Sequence, residues 1–593
     1  METKNKLNVY LFQPQYAVEI RNENTYWLPY SAGCIWSYAN TIPEVASKYQ
    51  LAEIGFKREH PDLIIERMKL QPPSVCGFSC YVWNLEYCLT LAQIIKKEFP
   101  KCRIIFGGAQ TSAKLLNNNF IDSIILAEGE ESFVHFLTNV FPQQIYNKQR
   151  INNLDIPSPY TTGLFDEIIN SNPGALWSMT FETNRGCPYS CTFCDWGGTT
   201  YSKVRKFDID KIISELEWAI DKPISYVFCA DANFGIFKER DLEIAKALKR
   251  VADKSMIETI NLQYAKNSTE IVFKIAKILG KYSRGVTVSV QSMHDLTLQA
   301  IKRRNMDISR VQDMIALSNQ YDVGTYTEVI LGLPEETLES WCTGLCEILE
   351  LGQHDSIDMW FAQLLENSEL NQSTSREKYK IDSVVGTDYF ALYNRNDFVD
   401  IQENIELIRG TSTMSLTDLV NAYMYGWMII QWHINGYSQH IARVLRKKNV
   451  KYRDYYDNLL LYIQQDEIFS LHYFKLKELV ENYLKNGKLK ITDSNSHGHN
   501  LHSFSYTFMY ENKKRAYRLA VECGENFTSL SESDKFIQEN FLFDPLVVYP
   551  VHLQNTTINS MIDNTLDIDF YSLRRKGLLK NKILTGDIYA STA

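Results

Sequence analysis

Short apolar runs alternate with amphipathic stretches through the first part of the chain. Leu7–Phe12, Tyr49–Ile54, Ser74–Phe78, Arg103–Phe106 and Ser123–Leu126 read as strands. The first, third and fourth are continuous apolar runs of the kind a strand buried on both faces of a parallel sheet uses. Between them, Leu85–Glu98 repeats at helical spacing, with Leu85, Cys88, Leu89, Leu91, Ala92, Ile94 and Ile95 on one face. This βαβ rhythm predicts an α/β, doubly wound, Rossmann-like sheet whose ligand site lies beyond the carboxyl ends of its strands. The loops at those ends are Ser79-Cys80-Tyr81-Val82-Trp83-Asn84, Gly107-Gly108-Ala109-Gln110 and Glu128-Gly129-Glu130-Glu131, whose glycines let a bulky ligand approach the backbone.

The polar stretch Asn147–Pro159 reads as a linker, and a second βα series follows it. Its strands are Trp177–Thr183, Ile224–Cys229, Thr259–Ala265, Gly285–Val290, Thr325–Leu331 and Ile357–Leu364, with helices at Ile209–Ile220 and Asp241–Val251. Six such units predict a partial (β/α)6 barrel with its function at the strand C-termini. Farther on the rhythm is lost. Ser415-Leu416-Thr417-Asp418 reads as a helix-capping box opening an aromatic-rich helical stretch to Leu445, and Ser494–His502 reads as a loop. The expected units are therefore residues 1–145, a linker over 146–175, a barrel over 176–372 and a mainly helical region over 373–593.

Composition changes the picture mainly by exclusion. The 593 residues are 45% hydrophobic and 22% charged, as in globular chains that need no disulfide scaffold. Sixty-two Lys plus Arg against 71 Asp plus Glu give a net charge of −9, so no global positive field invites nucleic acid. No apolar run is long enough to span a bilayer, and the first residues lack the apolar core of a signal peptide; a cytoplasmic protein with no membrane partner is expected.

Twelve cysteines are too few for a disulfide framework, so spacing carries the information. Cys187, Cys191 and Cys194 stand in Arg185-Gly186-Cys187-Pro188-Tyr189-Ser190-Cys191-Thr192-Phe193-Cys194-Asp195-Trp196-Gly197-Gly198. A given register of this C-x3-C-x2-C spacing arises by chance with a probability of about 10⁻⁵. Three thiolates so close on a loop leaving a barrel strand can hold three corners of a [4Fe-4S] cluster and leave the fourth iron open. A three-cysteine zinc site and buried structural thiols are the alternatives, although structural zinc wants four closed ligands and no fourth follows nearby.

At this point the chain resembles the radical S-adenosylmethionine (SAM) superfamily, over about residues 176–370. The resemblance implies that Cys187, Cys191 and Cys194 ligate the cluster and that its open iron chelates SAM, which one-electron reduction cleaves to a 5′-deoxyadenosyl radical. It further implies SAM contacts from Phe193, from Asp231, Asn233 and Gly235 after the second strand, from Ser289 and Gln291 after the fourth, and from Gly332 and Glu336 in the adenine segment.

A doubly wound domain ahead of such a barrel resembles the cobalamin-dependent group of this superfamily. The matching pieces are Ser79, Tyr81, Trp83 and Asn84, the pair Gly107 and Gly108, the turn Glu128, Gly129 and Glu130, and the linker segment Pro157-Ser158-Pro159-Tyr160. A flavodoxin-like nucleotide or flavin domain, or one without a ligand, is the alternative. The Asp-x-His-x-x-Gly segment that supplies a lower-face histidine in many cobalamin proteins is absent: His60 precedes Pro61 and has no aspartate two residues before it. Trp83 is instead a candidate to cover the lower face of the cobalt, a packed core indole being the other possibility.

The combined resemblance implies an enzyme that methylates an unactivated carbon through methylcobalamin and the deoxyadenosyl radical. Its substrate would be a small molecule or a peptide, and its electrons would come from an external flavodoxin- or ferredoxin-like donor. Cobalamin-dependent radical rearrangement or cyclisation, and a non-enzymatic cobalamin or redox sensor, are the rivals. Tyr423, Tyr425, Trp427, Trp432 and Tyr437 read as helix core rather than substrate wall. His433 and His440, and the pair Cys342 and Cys346, read as structural.

Overall fold

The computed structural model describes residues 6–16, 18–20, 23–139, 143–147, 151, 154–195, 203–265, 270–303, 308–387, 401–489, 501, 503–535 and 538. In the first unit, β1 (Leu7–Gln15), β2 (Tyr49–Lys57), β3 (Pro73–Ser79), β4 (Arg103–Gly107), β5 (Ser123–Ile125) and β6 (Ile145–Tyr146) form one sheet in the spatial order 2-1-3-4-5-6. All its pairings are parallel. The strands read as continuous apolar runs because both faces are covered. Phe12, Phe78 and Phe106 stand in register and stack at 5.0 and 4.8 Å between ring centres on one face, over Leu91 and Ile95 of the helix Leu85–Glu98. Val9, Leu11, Val75, Ile105 and Ile125 bury the other face against the helices Tyr30–Ala39 and Glu130–Thr138. Strand order reverses between β1 and β3, the point at which such sheets open a ligand crevice.

The second unit has β7 (Leu176–Phe181), β8 (Ile224–Phe234), β9 (Thr259–Tyr264), β10 (Val286–Thr287), β11 (Thr325–Leu331) and β12 (Ile357–Phe361). They pair parallel as 9-8-7 and 10-11-12, and a bridge from Ile260 to Ser283 joins the halves. Trp177, Met179 and Phe181 alternate along β7, all fully buried in one cluster with Ile212, Leu216, Ile244 and Leu248 of the covering helices. The strand expected over Gly285–Val290 shortens to Val286–Thr287, since the chain bulges beyond it. The Val288 and Gln291 amides still donate to Tyr326 and Glu328 carbonyls at 2.7 and 3.0 Å, with Gln291 at φ 65°.

The sequence pattern did not anticipate several strands, among them Ile145–Tyr146, Val18–Ile20 and Glu23–Trp27. Glu23–Trp27 leaves the first unit and adds to the free edge of β7, parallel to it, pairing Thr25 with Leu176 and Trp27 with Ser178, and Val18–Ile20 pairs antiparallel outside. A polar strand thus covers the open edge of the barrel. The segment after the first sheet also packs tightly: Tyr160 is buried, its hydroxyl donates to the Thr180 carbonyl, and Phe165 of the helix Leu164–Asn170 packs on its ring.

After the barrel, an antiparallel hairpin, Asp382–Thr387 with Asn404–Gly410, precedes the helices Leu416–Met428, Gln439–Lys447, Tyr452–Gln465, Phe469–Asn486, Tyr506–Glu511 and Lys513–Glu525. The capping box forms as expected, with the Asp418 amide donating to Ser415 Oγ and the Ser415 amide to the Asp418 carboxylate, both at 3.2 Å. The helical stretch to Leu445 is not continuous: a π-helical turn, Ile429–Ile434, and a bend separate its two helices. Tyr423, Tyr425, Trp427, Trp432 and Tyr437 are at most 3% exposed and form the core of this region. His433 is enclosed by His354 and Tyr456 at 2.9 and 2.5 Å, and Cys342 and Cys346 are buried. Apart from Leu501, the loop expected at Ser494–His502 lies outside the described residues. Among the described residues no helix is long and apolar enough to cross a membrane.

Replacing Ser415 with Ala removes a cap whose amide and hydroxyl are both engaged. Hydrogen exchange of the first-turn amides of Leu416–Met428 should report a local destabilisation of about 1 kcal/mol.

Candidate active site at the facing strand ends

The cysteine loop begins where β7 ends, and a buried carboxylate fixes that exit. Asp231 on β8 accepts from the amides of Thr183 and Asn184 at 2.7 and 3.1 Å, from Asn184 Nδ2 at 2.7 Å and from the Thr183 hydroxyl. Burial pushes its carboxyl up to about 7, against the pull of these donors. Asp231 therefore holds the backbone that carries the cysteines. Gly186 follows at φ 116°, where a Cβ would lie 2.6 Å from the Lys203 carbonyl, so only glycine fits the turn into Cys187.

Cys187 and Cys191 are buried, Cys194 is half-buried, and all three are free thiols. Asn233 Nδ2 donates to Cys187 Sγ at 3.4 Å, and the Arg303 guanidinium bonds the Cys191 thiol. Amide bonds from Thr192 to Ile301 and from Leu370 to Thr192, at 3.1 and 2.8 Å, pin the loop's middle, and Phe193 packs beside Leu298, Ile301, Leu333 and Leu364. Trp196, Gly197 and Gly198 lie outside the described residues. Among the described residues no three His, Cys, Asp or Glu side chains converge on one ion. The corner ligands of a cluster each bind their own iron and need not converge on one point. The all-thiol donor set, with N–H donors beside two of the sulfurs, fits a cluster.

The other expected SAM contacts follow the carboxyl ends of barrel strands. The Gly235 amide donates to Asp241 at 2.9 Å, at the start of the next helix. Ser289 donates to Glu328 at 3.0 Å while its carbonyl takes Arg303, which ties the end of β10 to Cys191. Gln291 is buried in the ladder. Beyond Gly332, Glu336 is buried among the hydroxyls of Ser292 and Ser340, and burial raises its pKa.

Across from these, the loop after β3 is internally wired. Asn84 is fully buried; its amide donates to the Pro14 and Ser79 carbonyls at 3.0 Å each, and its oxygen accepts from the Tyr81 amide at 2.8 Å. That side chain shapes the loop rather than projecting from it. Tyr81 and Trp83 stack at 4.6 Å with planes 3° apart, Tyr81 OH lies 2.6 Å from Ser31 Oγ, and Trp83 Nε1 is buried without a hydrogen-bond partner. Gly108, at φ 99°, lies against the Cys80 backbone, where a Cβ would come within 2.5 Å of the carbonyl oxygen, and the Cys80 amide donates to Gly107 at 2.7 Å.

Two sets of contacts join the facing ends. Arg185, next to the cysteine loop, pairs with Glu130 at 2.9 Å and Glu182 at 2.8 Å, and Arg205 pairs with Glu128. Glu128 and Glu130, expected at a ligand turn, thus meet arginines of the barrel. The loop after β12 docks on the loop after β4: Asn367 donates to the Ala109 and Thr111 carbonyls at 2.7 and 3.1 Å, and Ser112 to Glu366 at 2.8 Å. Arg185 stood in the motif without a role; Arg205, Arg303, Glu366 and Asn367 carry no sequence signal of their own.

Residues 181–343 match the family model described as the radical SAM superfamily. The barrel is a radical SAM domain. Across 77% of its length the chain is 29% identical to the cobalamin-dependent radical SAM methyltransferase TokK of Streptomyces tokunonensis, covering 71% of that protein. It is equally similar, at 29% over 77% of its length and 71% of the relative's, to the 2-(S-pantetheinyl)-carbapenam-3-carboxylate methyltransferase of Streptantibioticus cattleyicolor. The fold matches the structure of the cobalamin-dependent SAM radical enzyme OxsB with aqua-cobalamin and SAM bound, at a TM-score of 0.52 and 13% identity, over 91% of this chain and 83% of that one. The fold likeness thus extends well beyond the barrel.

Arg185 is 13% exposed and serves carboxylates that are themselves 4% and 16% exposed. Arg185→Met should cost about 3–5 kcal/mol of stability by stranding them, and should lower the iron bound after reconstitution. Thermal unfolding and iron content read the two effects.

Proposed function

We propose that the chain is a cobalamin-dependent radical SAM methyltransferase acting on an unactivated carbon of a small molecule or peptide. The observation that carries this is the pairing of Arg185 and Arg205 with Glu130 and Glu128, which sets the cysteine loop against the strand ends of the doubly wound sheet. Two cofactors that must share one substrate atom have to sit at near-contact distance. When bound, the cluster with SAM supplies one-electron cleavage to a carbon radical, and cobalamin supplies a transferable methyl group.

The chain's own residues divide that work. Cys187, Cys191 and Cys194 would hold the cluster, with Asn233 and Arg303 donating to the Cys187 and Cys191 sulfurs. Phe193, Gly235, Ser289, Gln291, Gly332 and Glu336 border the proposed SAM site, and Asp231 supports it from beneath. Ser79, Tyr81, Trp83, Gly107, Gly108 and Gly129 border the proposed corrinoid site, with Asn84, Glu128 and Glu130 shaping it. His60 supports a site without a histidine ligand, because its Nδ1 accepts the Asp62 amide at 3.3 Å and caps the helix Pro61–Leu70. The stacked pair of Tyr81 and Trp83 presents an apolar surface that excludes water. The corrinoid unit is assigned to residues 1–145 except the strip at 18–27, the radical unit to 176–372 and a substrate-covering role to the region beyond, with 146–175 between the first two. An external flavodoxin- or ferredoxin-like donor supplies the electrons, in a cytoplasmic setting.

The test is anaerobic purification with cobalamin, reconstitution with iron and sulfide, then addition of SAM and a low-potential reductant. Bound corrinoid with release of both 5′-deoxyadenosine and S-adenosylhomocysteine is the expected result. Deoxyadenosine without corrinoid uptake would overturn the methyltransferase assignment. Alanine at Cys187, Cys191 or Cys194 should abolish deoxyadenosine formation and the cluster's visible absorption while leaving corrinoid binding in place.

A further inference from the structure

The loop that carries Trp83 is held from outside its own unit. Arg58, just past β2, is 2% exposed, and its Nη1 donates to the Trp83 carbonyl at 3.2 Å and to Glu403 at 2.5 Å. Its Nη2 donates to the Ile401 carbonyl at 2.5 Å, and its guanidinium lies 4.2 and 4.8 Å from the ring centres of Tyr16 and Tyr87. Glu403 in turn accepts from the amides of Glu86 and Tyr87 at 2.7 and 3.1 Å, the first-turn donors of the helix Leu85–Glu98 that Asn84 leaves uncapped. Both side chains of the pair are essentially inaccessible, at 0% and 1%.

A buried ion pair of this kind is weak evidence for stability as such, since an apolar pair of similar volume serves as well; its better-attested use is to fix one arrangement. Here both partners grip the same short segment. Arg58 holds its last carbonyl before Asn84, and Glu403 holds the two amides that follow Leu85. Glu403 follows the barrel in the chain, immediately before the strand Asn404–Gly410.

We propose that Arg58 and Glu403 are positioning residues that lock the Tyr81–Tyr87 segment and thereby fix the Trp83 indole at the lower face of the corrinoid, so that the region after the barrel sets the coordination of a cofactor bound by the first unit. This rests on the cobalamin assignment. It goes beyond it by giving the carboxy-terminal region a share in the corrinoid site that contact with substrate does not require.

The test compares the full-length chain with Glu403→Gln, Glu403→Ala and Trp83→Ala. Hydrogen exchange across residues 81–87 is read without corrinoid; hydroxocobalamin affinity and the cobalt(II) EPR signal are read with it. Glu403→Gln keeps an acceptor and the side-chain volume, and so guards against a global failure of the alanine variant. Exchange at the Glu86 and Tyr87 amides should rise at least tenfold in Glu403→Ala and less in Glu403→Gln. Both variants should move the EPR signal in the direction set by Trp83→Ala, with corrinoid affinity falling about tenfold in Glu403→Ala. Faster exchange with an unchanged EPR signal, or no change in either, would overturn the positioning role while leaving the cobalamin assignment standing. A wild-type chain that takes up no corrinoid would overturn that assignment and this proposal with it.

Discussion

The arrangement of the two units turns on one cation. Arg185 sits where β7 hands over to the cysteine loop, and it neutralises Glu130 from the first unit and Glu182 from the second while mostly shielded from water. Carboxylates so buried are tolerated only with a partner at hydrogen-bonding distance. The guanidinium cannot withdraw without stranding them, and they cannot move apart without stranding it. The turn after β5 and the start of the cysteine loop are therefore held as one piece, and the cleft between the two sets of strand ends inherits its geometry from that contact.

The same physics recurs at two further seams. Asn367 and Glu366 brace the loop after β4, using backbone carbonyls on one side and a hydroxyl on the other. Arg58 and Glu403 brace the loop after β3 with charge. In each case a connecting loop at a carboxyl strand end, whose backbone groups the sheet leaves unpaired, finds partners in the other half of the chain. Loops that hold one another by hydrogen bonds are preorganised.

Several residues expected to face a ligand turn out to serve the scaffold. Asp231 is consumed by Thr183 and Asn184, Asn84 by Pro14, Ser79 and Tyr81, and Glu128 by Arg205. Position at a strand end made them candidates, but a polar residue there has two uses, and sequence does not distinguish them. A buried Asn or Asp with several donors in reach satisfies the backbone first. The thiols had no such competitor, because sulfur is a weak acceptor and three of them in eight residues satisfy little of the loop.

What the sequence determined by itself is what depends on near neighbours. Apolar runs marked five of the six strands of the first sheet and the six βα strands of the barrel, the helical repeat placed Leu85–Glu98 at its observed bounds, Ser415 and Asp418 announced their cap, and the cysteine spacing announced its chemistry. Each rests on a period or a spacing of a few residues, which folding preserves. Only the tertiary structure decided that Glu23–Trp27 would become a barrel strand, that Arg205 would find Glu128 at a separation of 77 residues, and that Arg58 would find Glu403 at 345. Five residues reading Glu-Asn-Thr-Tyr-Trp carry no apolar period, and a charge carries no address. Their partners are chosen when packed sheets bring them together and burial makes an unpaired group too costly to keep.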